Sequence, residues 1–146
     1  MRRLLVGLLF WSTAATAQVT IKDPWARTTP PNATLAAGYL TIANAGASDK
    51  LVGASSPAAQ RVEMHITLRD GEILRMREIK ELGVPAKSSL VLAPNGAHLM
   101  FVDLKRPFKA GEKVPVTLKF ASGREVKIEL AVRAAPKPAQ PSQHKH

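Results

Sequence analysis

The chain has 146 residues, no cysteine, and 21 lysines and arginines against 11 acidic residues, a formal net charge of +10. That length holds one domain, and the missing thiols exclude disulfide scaffolding, thiol redox chemistry, zinc–thiolate sites and a blue-copper centre, which needs a cysteine thiolate. The basic residues are scattered and aromatic residues make up only 5% of the chain, so the charge reads as a solvated basic surface and not as a nucleic-acid footprint.

In chain order, Arg2 and Arg3 precede the apolar run from Leu4 to Trp11, too short to span a bilayer as a helix. Ala15-Thr16-Ala17 then offers small residues for cleavage. The pattern predicts a secretory signal over residues 1–17, cleaved after Ala17, with no membrane span left in the mature chain. Removing its two arginines takes the charge from +10 to +8. Residues 18–133 read as short apolar runs broken by Gly, Pro, Asn and Asp, the signature of an all-β sandwich or barrel. Strands are predicted over 19–21, 38–43, 50–54, 61–68, 73–79, 88–92, 99–104, 114–120 and 124–132. Val114, Val116, Leu118 and Phe120 share one face, as do Val126, Ile128, Leu130 and Val132, and the two strands read as a hairpin closed at Ala121-Ser122-Gly123. Residues 134–146 carry three prolines and no large apolar side chain, so they read as a disordered tail.

The soft ligands of the domain fall in two places. Arg61–Leu68 alternates, with Val62, Met64, Ile66 and Leu68 on the core face and Glu63, His65 and Thr67 on the other. Asp70-Gly71 fits a two-residue type I′ turn, which would pair Arg69 with Glu72 and His65 with Met76, placing their Cβ atoms about 5 Å apart. A longer loop would shift that pairing. Farther on, His98 and Met100 flank Leu99 and so project together from one face of their strand. Thioethers are soft, neutral and need no deprotonation, which selects Cu(I) over harder ions, and imidazole suits copper as well. Zinc fits less well, since its sites favour Cys, His and carboxylate. Met64 faces inward and reads as core packing. No catalytic dyad or open three-histidine arrangement is visible, so no enzyme activity is expected.

The spacing His65, ten residues, Met76, twenty-one residues, His98-Leu99-Met100 resembles the H-x10-M-x21-H-x-M motif of the PCu(A)C periplasmic copper chaperones. The resemblance runs through Ala37-Gly38-Tyr39-Leu40-Thr41-Ile42, Leu51-Val52-Gly53-Ala54-Ser55-Ser56-Pro57, Arg61-Val62-Glu63-Met64-His65, Met76-Arg77 and Gly111. It implies a cupredoxin-like Greek-key β-sandwich, monomeric and periplasmic, that holds Cu(I) through His65, Met76, His98 and Met100. It further implies delivery to the copper centres of cytochrome c oxidase, with the oxidase's copper-bearing subunit and a Sco-type thiol protein as partners. Relatives often carry extra methionines between the first two ligands. Here Leu68 and Leu74 stand at plausible positions for them, so no auxiliary thioether is expected. His144 and His146 in the tail offer nitrogen ligands for a second, Cu(II) site. The competing reading is a copper-sequestering protein with the same site and no dedicated acceptor.

Overall fold

Ten strands organise residues 19–135, the part of the chain that the computed structural model describes. The signal segment 1–17 and the tail histidines His144 and His146 lie outside these residues. The strands are β1 (Val19–Arg27), β2 (Leu35–Asn44), β3 (Asp49–Ser55), β4 (Ala59–Asp70), β5 (Ile73–Ile79), β6 (Leu82–Val84), β7 (Ser88–Leu92), β8 (His98–Leu104), β9 (Lys113–Phe120) and β10 (Glu125–Arg133). Their hydrogen-bonded order is β5-β4-β8-β2-β1-β10-β9-β3-β6, and β3 returns to pair with β4 through Ala54 and Val62. That last pairing closes seven strands into a barrel and removes their free edges. β5, β6 and β7 attach outside the ring, on β4, β3 and β2 respectively.

The alternation read from sequence sets the core. Val114, Val116, Leu118 and Phe120 of β9 are all buried, and they meet Leu130 and Val132 of β10 in one cluster with Leu40, Ile42, Leu99 and Phe101. Phe108 closes the cluster edge-on against Phe101, ring centroids 5.4 Å apart. Met64 is buried in the same cluster, the packing role its strand face predicts. The one hydrogen-bonding side chain buried near the β6 end, Asn44, is satisfied on both sides. Its Nδ2 donates to the carbonyls of Ala47 (2.8 Å) and Pro85 (3.2 Å), and its Oδ1 accepts from the Gly46 amide.

Two elements depart from the sequence reading. β1 continues past Asp23-Pro24 to Arg27, because a bulge between Lys22 and Trp25, with Asp23 at φ +45°, absorbs the irregularity. A proline is tolerated at such a point because the bulge leaves its residue outside the ladder. β6 is three residues long, too short to show a period, and exists through its pairing with β3.

Gly38 on β2 sits where barrel walls approach closely. A Cβ there would stand 2.9 Å from Leu130 Cδ1 and 2.9 Å from Phe101 Cε2. Both neighbours are fully buried and hemmed in. Gly38→Ala should therefore lower the unfolding free energy by about 1–3 kcal/mol. Urea denaturation would read this as a lower midpoint at unchanged slope.

Candidate metal site

The site is built on β8. His98 stands directly opposite His65 of β4, while Met100 stands opposite Glu63 of β4 and Ala37 of β2. Alternation sends Leu99 and Phe101 to the core and leaves His98 and Met100 on the other face. That face is not open to solvent: His98 is 4% exposed and Met100 8%. A row of rings runs along it. The His65 and His98 centroids lie 5.8 Å apart, Tyr39 follows at 6.3 Å from His98, and Trp25 at 4.7 Å from Tyr39. The Arg133 guanidinium caps Trp25 at 4.5 Å from its ring centroid.

The β4–β5 hairpin differs from the expected one. Gly71 takes the first corner of the turn at φ +62°, with Glu72 second, so Asp70 pairs with Ile73. This is the Gly-X pattern of a type II′ turn and not the Asp-Gly pattern of type I′. A glycine adopts the left-handed corner without the Cβ penalty, which lets Asp70 stay in the strand. The register consequently moves by two: Thr67 pairs with Met76, and His65 with Glu78. An even shift keeps every side chain on its face. Met76 therefore still shares the face of His65, on the diagonal instead of directly opposite, a separation that long side chains bridge.

Met76 reaches a cleft of about 310 Å³ whose lining includes His98, Met100, Leu74, Tyr39 and Arg27. Two larger hollows, beside Asp49 and Ser122 and beside Asn44 and Lys87, are lined by neither imidazole nor thioether. Among the described residues no three His, Cys, Asp or Glu converge. What the strands bring together is two imidazoles on paired strands and, on the same face, two thioethers that share the cleft with His98, a donor set for a soft ion. Met76 is the outlier in exposure, at 61%.

Hydrogen bonding fixes which ring nitrogens are available. His98 Nδ1 donates to the Gly96 carbonyl at 3.1 Å, because a carbonyl can only accept. Its Nε2 is thereby left with a free lone pair. Burial pushes the His98 pKa below the ordinary 6.5, with the Gly96 bond opposing and the nearby His65 adding to the drop. His65 Nε2 lies 2.9 Å from Glu63 Oε2. Its Nδ1 is buried with no hydrogen-bond partner. A buried polar atom without a partner is costly, and a metal ion bound there would satisfy it. Glu63 is held below the usual carboxylate range, first by the hydrogen bond from Arg61 and then by that from His65. The sequence reading gives Glu63 no role, although its place two residues before His65 on the same strand face is visible in the sequence.

The LpqE-like family, described as Putative lipoprotein LpqE-like, matches residues 19–132. The chain belongs to this family, which is the PCuAC family. Putative lipoprotein Lxx21020 of Leifsonia xyli subsp. xyli (strain CTCB07) is 34% identical over 117 residues, covering 79% of this chain and 69% of the relative. The copper-bound PCuAC domain from PmoF2 superimposes with a TM-score of 0.69 at 26% identity, over 92% of this chain and 100% of that domain. The solution structure of CuI-DR1885 from Deinococcus radiodurans gives 0.66 at 34% identity, over 83% of each chain. The seven-stranded barrel is accordingly the cupredoxin-like β-sandwich of PCuAC domains.

The desolvated His98 makes the metal-free PCuAC domain sensitive to acid. Below the ordinary pKa of 6.5 the unfolded chain takes up a proton at this residue and the folded chain resists it. Stability is therefore full above that pH and lost as pH falls toward the lower folded value. Thermal unfolding of the apo-protein between about pH 7 and pH 5 should show this slope, and His98→Gln should flatten it. A slope that the substitution leaves intact would assign the acid sensitivity to another group.

Proposed function

We propose that this chain is a periplasmic Cu(I) metallochaperone that binds one ion between His65, Met76, His98 and Met100 and releases it to an acceptor. The observation that carries the reading is the direct pairing of His65 with His98. Each ring keeps one nitrogen without a hydrogen bond, and His98 lines the same cleft as Met100 and Met76. Its membership of a family whose solved domains include copper-bound ones supports the same reading. The apolar leader and the lipoprotein names of the relatives support export. Delivery to the copper centres of cytochrome c oxidase, in company with a Sco-type thiol protein, is the role that the family resemblance implies.

The geometry suits carriage rather than permanent storage. All four donors are neutral when bound, so loading requires no thiol deprotonation. Three of them are held against the barrel. The fourth, Met76, lies on the outermost strand and is largely in solvent. A donor from an acceptor protein meets Met76 first, so ligand exchange begins there and the buried His98 and Met100 let go last. The flanking Leu74 is 52% exposed and presents an apolar surface at the exit.

An anaerobic Cu(I) titration against a chromophoric chelator should give one tight ion per chain. Replacing Met76 and Met100 together by leucine should weaken retention by more than the ~10–100-fold that loss of an outer-shell partner costs. Met64→Leu should leave it nearly unchanged, and a comparable loss from Met64→Leu would sink the ligand assignment. Truncation after Ala135 should preserve this stoichiometry while removing any Cu(II) bound by His144 and His146. Loaded protein mixed with a copper-free oxidase subunit should lose its copper; metal that stays put would favour sequestration.

A further inference from the structure

We propose that Glu63 is a positioning residue that fixes His65 as its Nε2–H tautomer, so that copper is taken by Nδ1 of His65 and by Nε2 of His98. The inference rests on the proposed copper site and adds to it: the two paired histidines ligate through opposite nitrogens. Three observations lead there. A carboxylate oxygen accepts and never donates, so the 2.9 Å contact between Glu63 Oε2 and His65 Nε2 places the hydrogen on Nε2. The other ring nitrogen, Nδ1, is the one buried polar side-chain atom without a partner among the described residues. At His98 the Gly96 carbonyl does the reverse, holding Nδ1–H and leaving Nε2 bare.

The opposite assignment at His65 fails on the same geometry. Copper on Nε2 would compete with the carboxylate for that nitrogen and leave Nδ1 buried and unpaired. Glu63 itself is anchored: Arg61 Nε donates to its Oε1 at 2.7 Å, and Arg61 Nη1 donates to Asp103 Oδ2 at 3.1 Å. Asp103 sits at φ +57° near the end of β8, so the anchor ends on the strand that carries His98 and Met100. The two legs are unequal. Arg61 and Asp103 are both more than half exposed, where an ion pair is screened and adds little. Glu63 and His65 are 21% and 17% exposed, so their bond is sheltered and carries the positioning. Carboxylates commonly orient metal-bound imidazoles in this way, and their loss costs metal affinity.

The test reads the nitrogens directly. In full-length mature protein labelled with nitrogen-15 histidine, long-range proton–nitrogen correlation of the apo form should show His65 protonated at Nε2. Anaerobic loading with Cu(I), which is diamagnetic, should shift His65 Nδ1 and His98 Nε2 and leave the other two nitrogens protonated. An apo His65 protonated at Nδ1, or a copper-induced shift at its Nε2, would overturn the proposal. Two variants separate positioning from charge. Glu63→Leu removes the acceptor and should lower Cu(I) affinity about 10–100-fold, whereas Glu63→Gln keeps an acceptor oxygen and should cost only a few-fold. Equal losses would make Glu63 an electrostatic attractor, and no loss in either would make it a packing residue; both results overturn the proposal. If Glu63→Leu does not fold, the wild-type spectra still decide. Should the wild type bind no Cu(I), the proposed function falls, while the apo spectrum still shows whether Glu63 sets the tautomer.

Discussion

The register between β4 and β8 is the constraint on which the rest depends. His65 faces His98 because Met64 faces Leu99, and Met64 and Leu99 are buried on the opposite side of the same two strands. A slip of β4 by one residue against β8 would turn Met64 to the imidazole face and His65 into the core. The core therefore enforces the site. Closure of the barrel through Ala54 and Val62 adds to this, since β4 is held by β3 on one side and β8 on the other along part of its length. The face that carries the imidazoles is in turn flanked by Tyr39 and Trp25, whose places on β2 and β1 follow from pairings inside the same ring.

Beyond the ring the constraint weakens. β4 runs past its last barrel partner, and from Leu68 onward its residues are exposed together with nearly all of β5. This hairpin is held by its own ladder and by one backbone bond from the Thr67 amide to the Gly96 carbonyl. Elements with few buried contacts open at the low end of the stability range. The proposed ligand set thus combines donors on a rigid wall with one thioether on an outlying strand, and an unbranched methionine side chain is well suited to bridge a site of that kind. On that proposal, tight holding and accessible release are divided between parts of the fold.

Much of this was legible in the sequence, and the exceptions have physical causes. The alternation of Val114 to Phe120 and of Val62 and Met64 named the core face, and the single residue between His98 and Met100 placed both on one side of a strand. Turn type was less accessible. Asp70-Gly71 and Gly71-Glu72 are both acceptable two-residue corners, and only the ladder on either side chooses between them. The mistake was harmless to the face assignment because the two registers differ by two. Ile66 and Leu68 show a different limit: their pattern marks an inward face, but nothing in the pattern tells that the barrel ends before Leu68. The bulge at Asp23-Pro24 and the three-residue β6 depend on partners distant in sequence, which local propensity does not see. Glu63 was visible as a neighbour of His65 on its face, yet its contact with Nε2 depends on side-chain torsions that spacing does not fix.

The lack of cysteine ties these features together. A thiolate would supply both a soft donor and the negative charge that offsets a bound cation, and it would be open to oxidation outside the cytosol. With two thioethers and two imidazoles the proposed donors carry no charge, and their orientation has to be set from beyond the ligands. The structure places one carboxylate there, Glu63 on Nε2 of His65, and pairs it with Arg61. A hydrogen bond to the nitrogen facing away from the metal would orient the imidazole without adding a bond that must break on release. In the proposed site, affinity would be tuned at Glu63 through the orientation of His65, and exchange would begin at Met76, at the far edge of the sheet. The carrier role proposed above needs those two quantities to be separable, and a single thiolate ligand would bind them together.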